Sequence, residues 1–149
     1  MEQPNSASPF RTDPLAEIDA DSPPINELCQ RIFDAIDEPA IAFALSGSEL
    51  RTASYAALDR IVNFAHNCAT GTIEIIGHTD SLGDESFNVH VGRQRAIAVA
   101  NYLVGRGVEP DRLKVISRGS AEPVADNDTR IGRSRNRRIE LRWLPERGS

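Results

Sequence analysis

The chain has 149 residues, 40% of them hydrophobic and 26% charged, with a net charge of -5 at pH 7. That length supports one domain with a real core and excludes two sizeable ones. The composition excludes wholesale disorder, and no run approaches the roughly 20 apolar residues that a membrane-spanning helix needs. The first residues lack the basic start and apolar middle of a signal peptide, so an exported protein would carry this chain as part of a longer precursor. Charge is uneven. Residues 1–39 hold nine acids against Arg11 and Arg31, a balance of -7 that leaves the remainder at +2. Arg130, Arg133, Arg135, Arg137, Arg138 and Arg142 crowd the other end. Without interleaved aromatics or a recognition-helix pattern, they do not make a nucleic-acid surface.

Residues 1–24 contain five prolines and few large apolar side chains, which reads as a disordered acidic arm. From Ile25 the pattern turns helical. Leu28, Ile32, Ala35 and Ile36 recur at helical spacing, with Asn26 or Ser22 as a start signal and Pro39 as a stop. Residues 25–39 are therefore a short helix that packs on the domain of residues 40–144, followed by a tail, 145–149. Ala40 to Leu45 alternates large and small apolar residues between Pro39 and Ser46-Gly47-Ser48, the pattern of a strand. Residues 49–67 set Leu50, Ala53, Ala57, Leu58, Ile61, Val62 and Ala65 against Arg51, Asp59, Arg60 and Asn63, an amphipathic helix. Cys68 lies just past its end. Cys29 and Cys68 have no CxxC spacing, and one nearby His66 leaves a metal short of ligands. Two buried thiols and one disulfide both fit that spacing.

Thr72 to Ile76 is the second strand, and a turn runs from Gly77 to Gly83. A long helix follows, with Val91, Val99 and Leu103 on its apolar stripe and Gly105 or Gly107 at the left-handed cap. Leu113 to Ser117 is the third strand. Asp128 or Thr129 caps a short helical turn that holds Arg133, and Arg138 to Trp143 is the last strand, with Trp143 in the core. This order predicts an α+β fold, a two-layer α/β sandwich. Two main helices lie on a mixed four-stranded sheet, with at least one crossover between parallel strands and the short N-terminal helix added.

The chemistry concentrates between Ile75 and Arg106. Arg95 falls between Val91 and Val99, on the line of the buried face, where a guanidinium needs water or an anion. Asp80, at the mouth of the preceding strand, is the obvious anion. An open Asp/Arg pair suits a ligand that carries the opposite charges, such as an α-amino acid end group: carboxylate to Arg95, ammonium to Asp80. Asn88 and the free N–H groups at the helix start favour the same ligand. The competing reading is a salt bridge between Asp80 and Arg95 that only ties the loop to the helix.

The pieces GHTD at Gly77 to Asp80, Gly83, Asn88, Arg95-Ala96, Arg112-Leu113, Gly119, Pro123 with Asn127, and Gly132-Arg133 before Asn136-Arg137-Arg138 stand in one order and spacing. Together, from about Ala40 to Leu141, they resemble the C-terminal domain of the OmpA-like family, which includes the peptidoglycan-associated lipoprotein and the periplasmic part of the flagellar stator protein MotB. The resemblance implies a β-α-β-α-β-β domain that holds peptidoglycan non-covalently by the diaminopimelate of its stem peptide. Asp80 then takes the ligand's ammonium and Arg95 its carboxylate. Asn88 and Arg137 line the pocket, and backbone groups around Leu82 add contacts. Arg133, Asn136 and Arg138 tie the last helix and strand to the loops. The resemblance implies no catalytic residue, metal or cofactor. It places the chain in the periplasm or cell envelope, in company with the outer membrane, and makes a Cys29–Cys68 disulfide the expected state. Two positions depart from the family pattern. Ala44 stands where an Asp is frequent, leaving Ser46 or Ser48 to replace it, and Gly92 sits inside a helix at a cost of roughly 1 kcal/mol relative to Ala.

Other motifs carry less. His78 reads as a hydrogen-bonded turn residue, since no second His or nucleophile is near it, and His66 and His90 as surface residues. Asp126-Asn127-Asp128 hints at a calcium loop, but Arg130 and Ile131 occupy ligand positions. A peptidoglycan amidase would need a nucleophile or a full metal set. The main alternative is an envelope protein-interaction module with a structural charge pair.

Overall fold

Ile73, Ile75 and Ile76 are almost wholly buried because β1, Thr72–His78, is the central strand of the sheet. The computed structural model describes residues 24–36, 41, 43 and 47–146. Among them β1 pairs in parallel with β2, Leu113–Gly119, and antiparallel with β3, Arg138–Leu144. The sheet order is β2-β1-β3, with Ile75 flanked by Val115 and Leu141. The expected strand Ala40 to Leu45 lies mostly outside the described residues. Of it, Ile41 and Phe43 are half-buried against the core, and Phe43 makes one antiparallel bridge to Leu50. The arm 1–23 and residues 147–149 of the tail also lie outside.

Two helices cover one face of the sheet. Leu58, Ile61, Phe64 and Ala65 of α2, Tyr55–Asn67, join Ala96, Val99 and Leu103 of α3, Glu85–Gly105, in one core with Ile73, Ile75, Ile139 and Trp143. Trp143 meets Phe64 edge-on at 5.7 Å, and its Nε1 donates to the Thr70 carbonyl at 3.1 Å. A single 3-10 turn at Thr52–Ser54 precedes α2, so that helix starts later than its apolar pattern suggests.

Helix α3 crosses β1 at very close range. Its buried residues are Asn88, Gly92, Ala96, Val99 and Leu103, small at the N-terminal end and large at the other. A Cβ on Gly77 would run into the Gly92 backbone, and one on Gly92 would lie 2.7 Å from the Ser117 hydroxyl. The helical glycine is thus a packing requirement, offsetting its propensity cost. The same geometry corrects the stripe read from the sequence. Steps of four residues drift around a 3.6-residue helix, so Val91 and Arg95 lie beside the buried line and are half-exposed. Gly77 and His78, expected in the turn, continue the strand because β3 pairs with both. The left-handed cap of α3 is Gly107, at φ +99°.

Helix α1, Ile25–Asp34, is held by a Cys29–Cys68 disulfide with 6.0 Å between Cα atoms. Phe33 packs edge-on against Phe64 at 5.1 Å. Arg112 secures the same C-terminal end of α2, donating to the carbonyls of Ala65, Cys68, Thr70 and Gly71. These are the carbonyls that a helix end and turn leave unpaired.

Two outcomes follow. Reducing the disulfide, which closes a loop of 39 residues, should lower unfolding stability by about 4 kcal/mol on the loop-entropy relation, seen as an earlier urea midpoint with dithiothreitol. Gly77→Ala meets rigid backbone and Gly92→Ala a rotatable hydroxyl. The former should therefore cost at least about 2 kcal/mol more, within the range known for overpacked cores; no loss of stability in Gly77→Ala would refute the close approach.

Candidate functional site

Asp80 stands two residues past β1 and is held from several sides. The Thr79 N–H donates to the Gly119 carbonyl at 2.8 Å, and the Thr79 hydroxyl to the Asp80 carbonyl at 2.9 Å. One Asp80 carboxylate oxygen accepts the Leu82 N–H at 2.9 Å, closing an Asx turn. The other accepts Arg137 Nη1 at 2.6 Å. The Asp80 side chain is 11% exposed and that of Arg137 42%, so the pair is inward at the acid and wet at the base. Asn88, in the first turns of α3, donates to the Leu82 carbonyl at 3.0 Å and the Asp80 carbonyl at 3.4 Å.

Arg137 owes its position to the residue before it. Asn136 is fully buried; its Oδ1 accepts the Val124 and Ala125 N–H groups, and its Nδ2 donates to the Ala125 carbonyl and Asn127 Oδ1. Helix α4, Arg130–Asn136, begins where the Thr129 hydroxyl accepts the Gly132 N–H at 2.9 Å. A side chain on Gly132 would strike the Asp126 carbonyl. Arg133 donates to the Asn127 carbonyl and Arg138 to that of Glu122, the tying roles expected for them.

Arg95 reaches the site from the middle of α3. Its Nε donates to the Gly47 carbonyl at 2.9 Å, and its guanidinium carbon stands 5.2 Å from the centroid of the Phe43 ring. The salt bridge weighed between Asp80 and Arg95 is not the one formed: Arg137 holds Asp80, because α4 delivers its guanidinium directly to the free carboxylate oxygen. Among the described residues, no carboxylate pairs with Arg95. Burial pushes the Arg95 pKa below its ordinary value, the charge of Arg137 pushes the same way, and Asp80 opposes both. The group stays protonated. It is a half-buried cation with incomplete compensation, and a bound anion would relieve it.

Asp80, Asn88, Arg95 and Arg137 share one cleft of about 330 Å³ with Thr79, Phe87 and Val91. The structure thus brings together four of the five binding residues expected from sequence. Leu82 differs: the residue is 59% exposed, its N–H is used by Asp80 and its carbonyl by Asn88. Of the residues weighed at the departure of Ala44, Ala44 and Ser46 lie outside the described residues. Phe43 and Gly47, the partners of Arg95, read only as strand and turn residues in the sequence, and Phe87, an aromatic one residue before Asn88, went unread although it lines the cleft. His66 and His90 are exposed, and the Asp126 carboxylate closes its own turn on the Asp128 N–H at 2.8 Å.

Comparison with known proteins gives the following. Residues 42–137 match the model of the OmpA family. The peptidoglycan-binding protein ArfA of Mycobacterium tuberculosis is 38% identical over 122 residues, covering 80% of this chain and 37% of ArfA. Outer membrane protein A of Bordetella avium is 35% identical over 105 residues, 70% of this chain and 54% of that protein. The chain thus spans between about a third and a half of these relatives. Among solved structures, the peptidoglycan-associated lipoprotein of Burkholderia pseudomallei superimposes with a TM-score of 0.67 at 25% identity, covering 71% of this chain and 90% of that one. The C-terminal domain of Helicobacter pylori MotB gives 0.64 at 23% identity over 72% of this chain and 84% of that one.

The geometry makes Asn136 the residue on which Arg137 depends. Asn136→Ala strands two inward N–H groups and should cost about 3 kcal/mol in urea unfolding. A loss below about 1 kcal/mol, the usual size of a surface change, would contradict this.

Proposed function

The chain belongs to the OmpA family, and from that premise we propose that it binds peptidoglycan non-covalently through the diaminopimelate of the stem peptide, anchoring an envelope component to the cell wall. The observation that carries the reading is Arg95, a half-buried guanidinium without a carboxylate partner among the described residues, across a cleft from the fixed carboxylate of Asp80. The free end of diaminopimelate bears an ammonium and a carboxylate on one carbon. Its carboxylate takes the open edge of Arg95, and its ammonium shares Asp80 with Arg137, which is exposed enough to yield toward water. Asn88 offers a neutral hydrogen-bonding group beside them, while Phe87 and Val91 meet the methylene chain. The roles of Asp80, Arg95, Asn88 and Arg137 are part of this proposal.

The name of ArfA supports the ligand class. The envelope location, outside the cytoplasm and beside the outer membrane in the full-length protein, belongs to the same proposal. No helix among the described residues is long and apolar enough to cross a membrane. The proposed action is binding without bond cleavage, so sacculi incubated with the protein should release no soluble muropeptide.

Asp80→Ala and Arg95→Ala should each abolish co-sedimentation with diaminopimelate-type sacculi while circular dichroism stays unchanged. Sacculi with lysine in place of diaminopimelate lack the carboxylate that Arg95 would meet. They should bind at least about tenfold more weakly, the worth of one charge-assisted hydrogen bond. Undiminished binding by both variants would remove the site assignment, whereas no binding by the unaltered chain would favour the interaction-module reading, in which the charged groups serve only the fold.

A further inference from the structure

Alternation along β1 places Glu74, Ile76 and His78 on the sheet face turned away from α2 and α3. On β3, Glu140 lies opposite Ile76 and Arg138 opposite His78. The His78 side chain is only 1% exposed, and its Nε2 stands 2.9 Å from Glu140 Oε1. Its Nδ1 is buried with no hydrogen-bond partner among the described residues. The nitrogen that faces the carboxylate is thus Nε2, and it is the one available to share a ligand with Glu140.

Glu122, on the loop after β2, completes a cluster. One ring nitrogen of His78 and one carboxylate oxygen each of Glu122 and Glu140 lie within 4.8 Å of one another. The loop is pinned there, since Arg138 Nη2 donates to the Glu122 carbonyl at 3.1 Å. The Glu122 side chain remains half-exposed, with only a long contact of 3.8 Å to Arg118. Arg142 occupies Oε2 of Glu140 at 3.0 Å and leaves Oε1 turned toward the imidazole.

We infer that His78, Glu122 and Glu140 form a zinc site on the sheet face turned away from α2 and α3. An imidazole and two carboxylates supply one nitrogen, two oxygens and two negative charges, a set that suits zinc and leaves its fourth position to water. Ligand bonds of about 2.0–2.1 Å put tetrahedral ligand atoms roughly 3.3 Å apart. Glu122 swings inward to reach that spacing, which its exposure permits, and Glu140 moves back by a few tenths of an ångström. Arg118, Arg138 and Arg142 surround the cluster, and their charge weakens the hold on a cation. This is a site that fills when zinc is plentiful. It stands independently of the cleft around Asp80 and Arg95, and the two cysteines, being bonded to each other, do not compete for the metal.

The test is calorimetric titration of the whole chain with zinc chloride in a non-chelating buffer, with magnesium chloride as comparison. One zinc per chain should bind saturably, and magnesium should give no heat. Glu122→Gln and Glu140→Gln should each weaken zinc binding at least about tenfold, since even indirect supports of a metal site are worth that much. Arg118→Gln, which frees Glu122 from its competitor, should tighten it severalfold. His78→Gln removes a buried ring and risks the fold, so the glutamate variants decide. Absence of saturable zinc binding overturns the site. So does zinc binding that survives both glutamate variants but disappears when His66 and His90 are changed to Ala.

Discussion

Asp80 is fixed at both carboxylate oxygens by groups that come from different parts of the chain: the Leu82 N–H within its own turn, and the guanidinium of Arg137, 57 residues later. The first contact shapes the loop after the central strand, and the second fastens α4 to it. Neither oxygen is left to reach across the cleft for Arg95. The cleft therefore holds two guanidinium groups and one carboxylate, bonded to Arg137, and keeps a surplus positive charge at the half-buried Arg95. A surface ion pair would be worth little. Here the inward acid and its backbone donor hold the geometry of the cleft, and a preorganised site loses less on binding than one that must be ordered.

The same site requires that α3 lie almost in contact with the strand. Gly77 and Gly92 remove side chains at the crossing, and the Ser117 hydroxyl donates to the Val89 carbonyl at 2.7 Å beside it. At the start of α3, Glu85 accepts from the Ser120 hydroxyl and N–H, which lowers its pKa and joins the helix to the end of β2. With α3 so placed, Asn88 reaches the Asp80 turn, and Arg95 looks across the cleft from the flank of the buried stripe. Larger residues at the crossing would lift the helix away and widen the cleft.

Much of this was legible from periodicity and turn chemistry. The apolar spacing of α2, the Thr129 cap, the burial of Trp143 and the prominence of Asp80 and Arg95 all follow from local rules. What escaped was long-range. Nothing local links Asp80 to Arg137, so the expected partner was the nearer arginine. Gly92 read as a cost because its reason is another glycine on a different element. Gly77 and His78 look like turn residues, yet pairing with β3 keeps them extended. Arg112 sits in a connection without a pattern around it, but four carbonyls at the end of α2 converge on it. Family resemblance supplied the disulfide and Arg137, where residue spacing alone left the one open and did not indicate the other.

The most direct measurement is a ¹H–¹⁵N NMR titration of the whole chain with two soluble stem peptides, identical except for diaminopimelate or lysine at the third position. The diaminopimelate peptide should shift the amide signals of Asp80 and Leu82 and the Nε–H signal of Arg95, saturably, while the lysine peptide should leave Arg95 unmoved. Equal shifts with both peptides, or shifts confined to surfaces away from this cleft, would contradict this expectation.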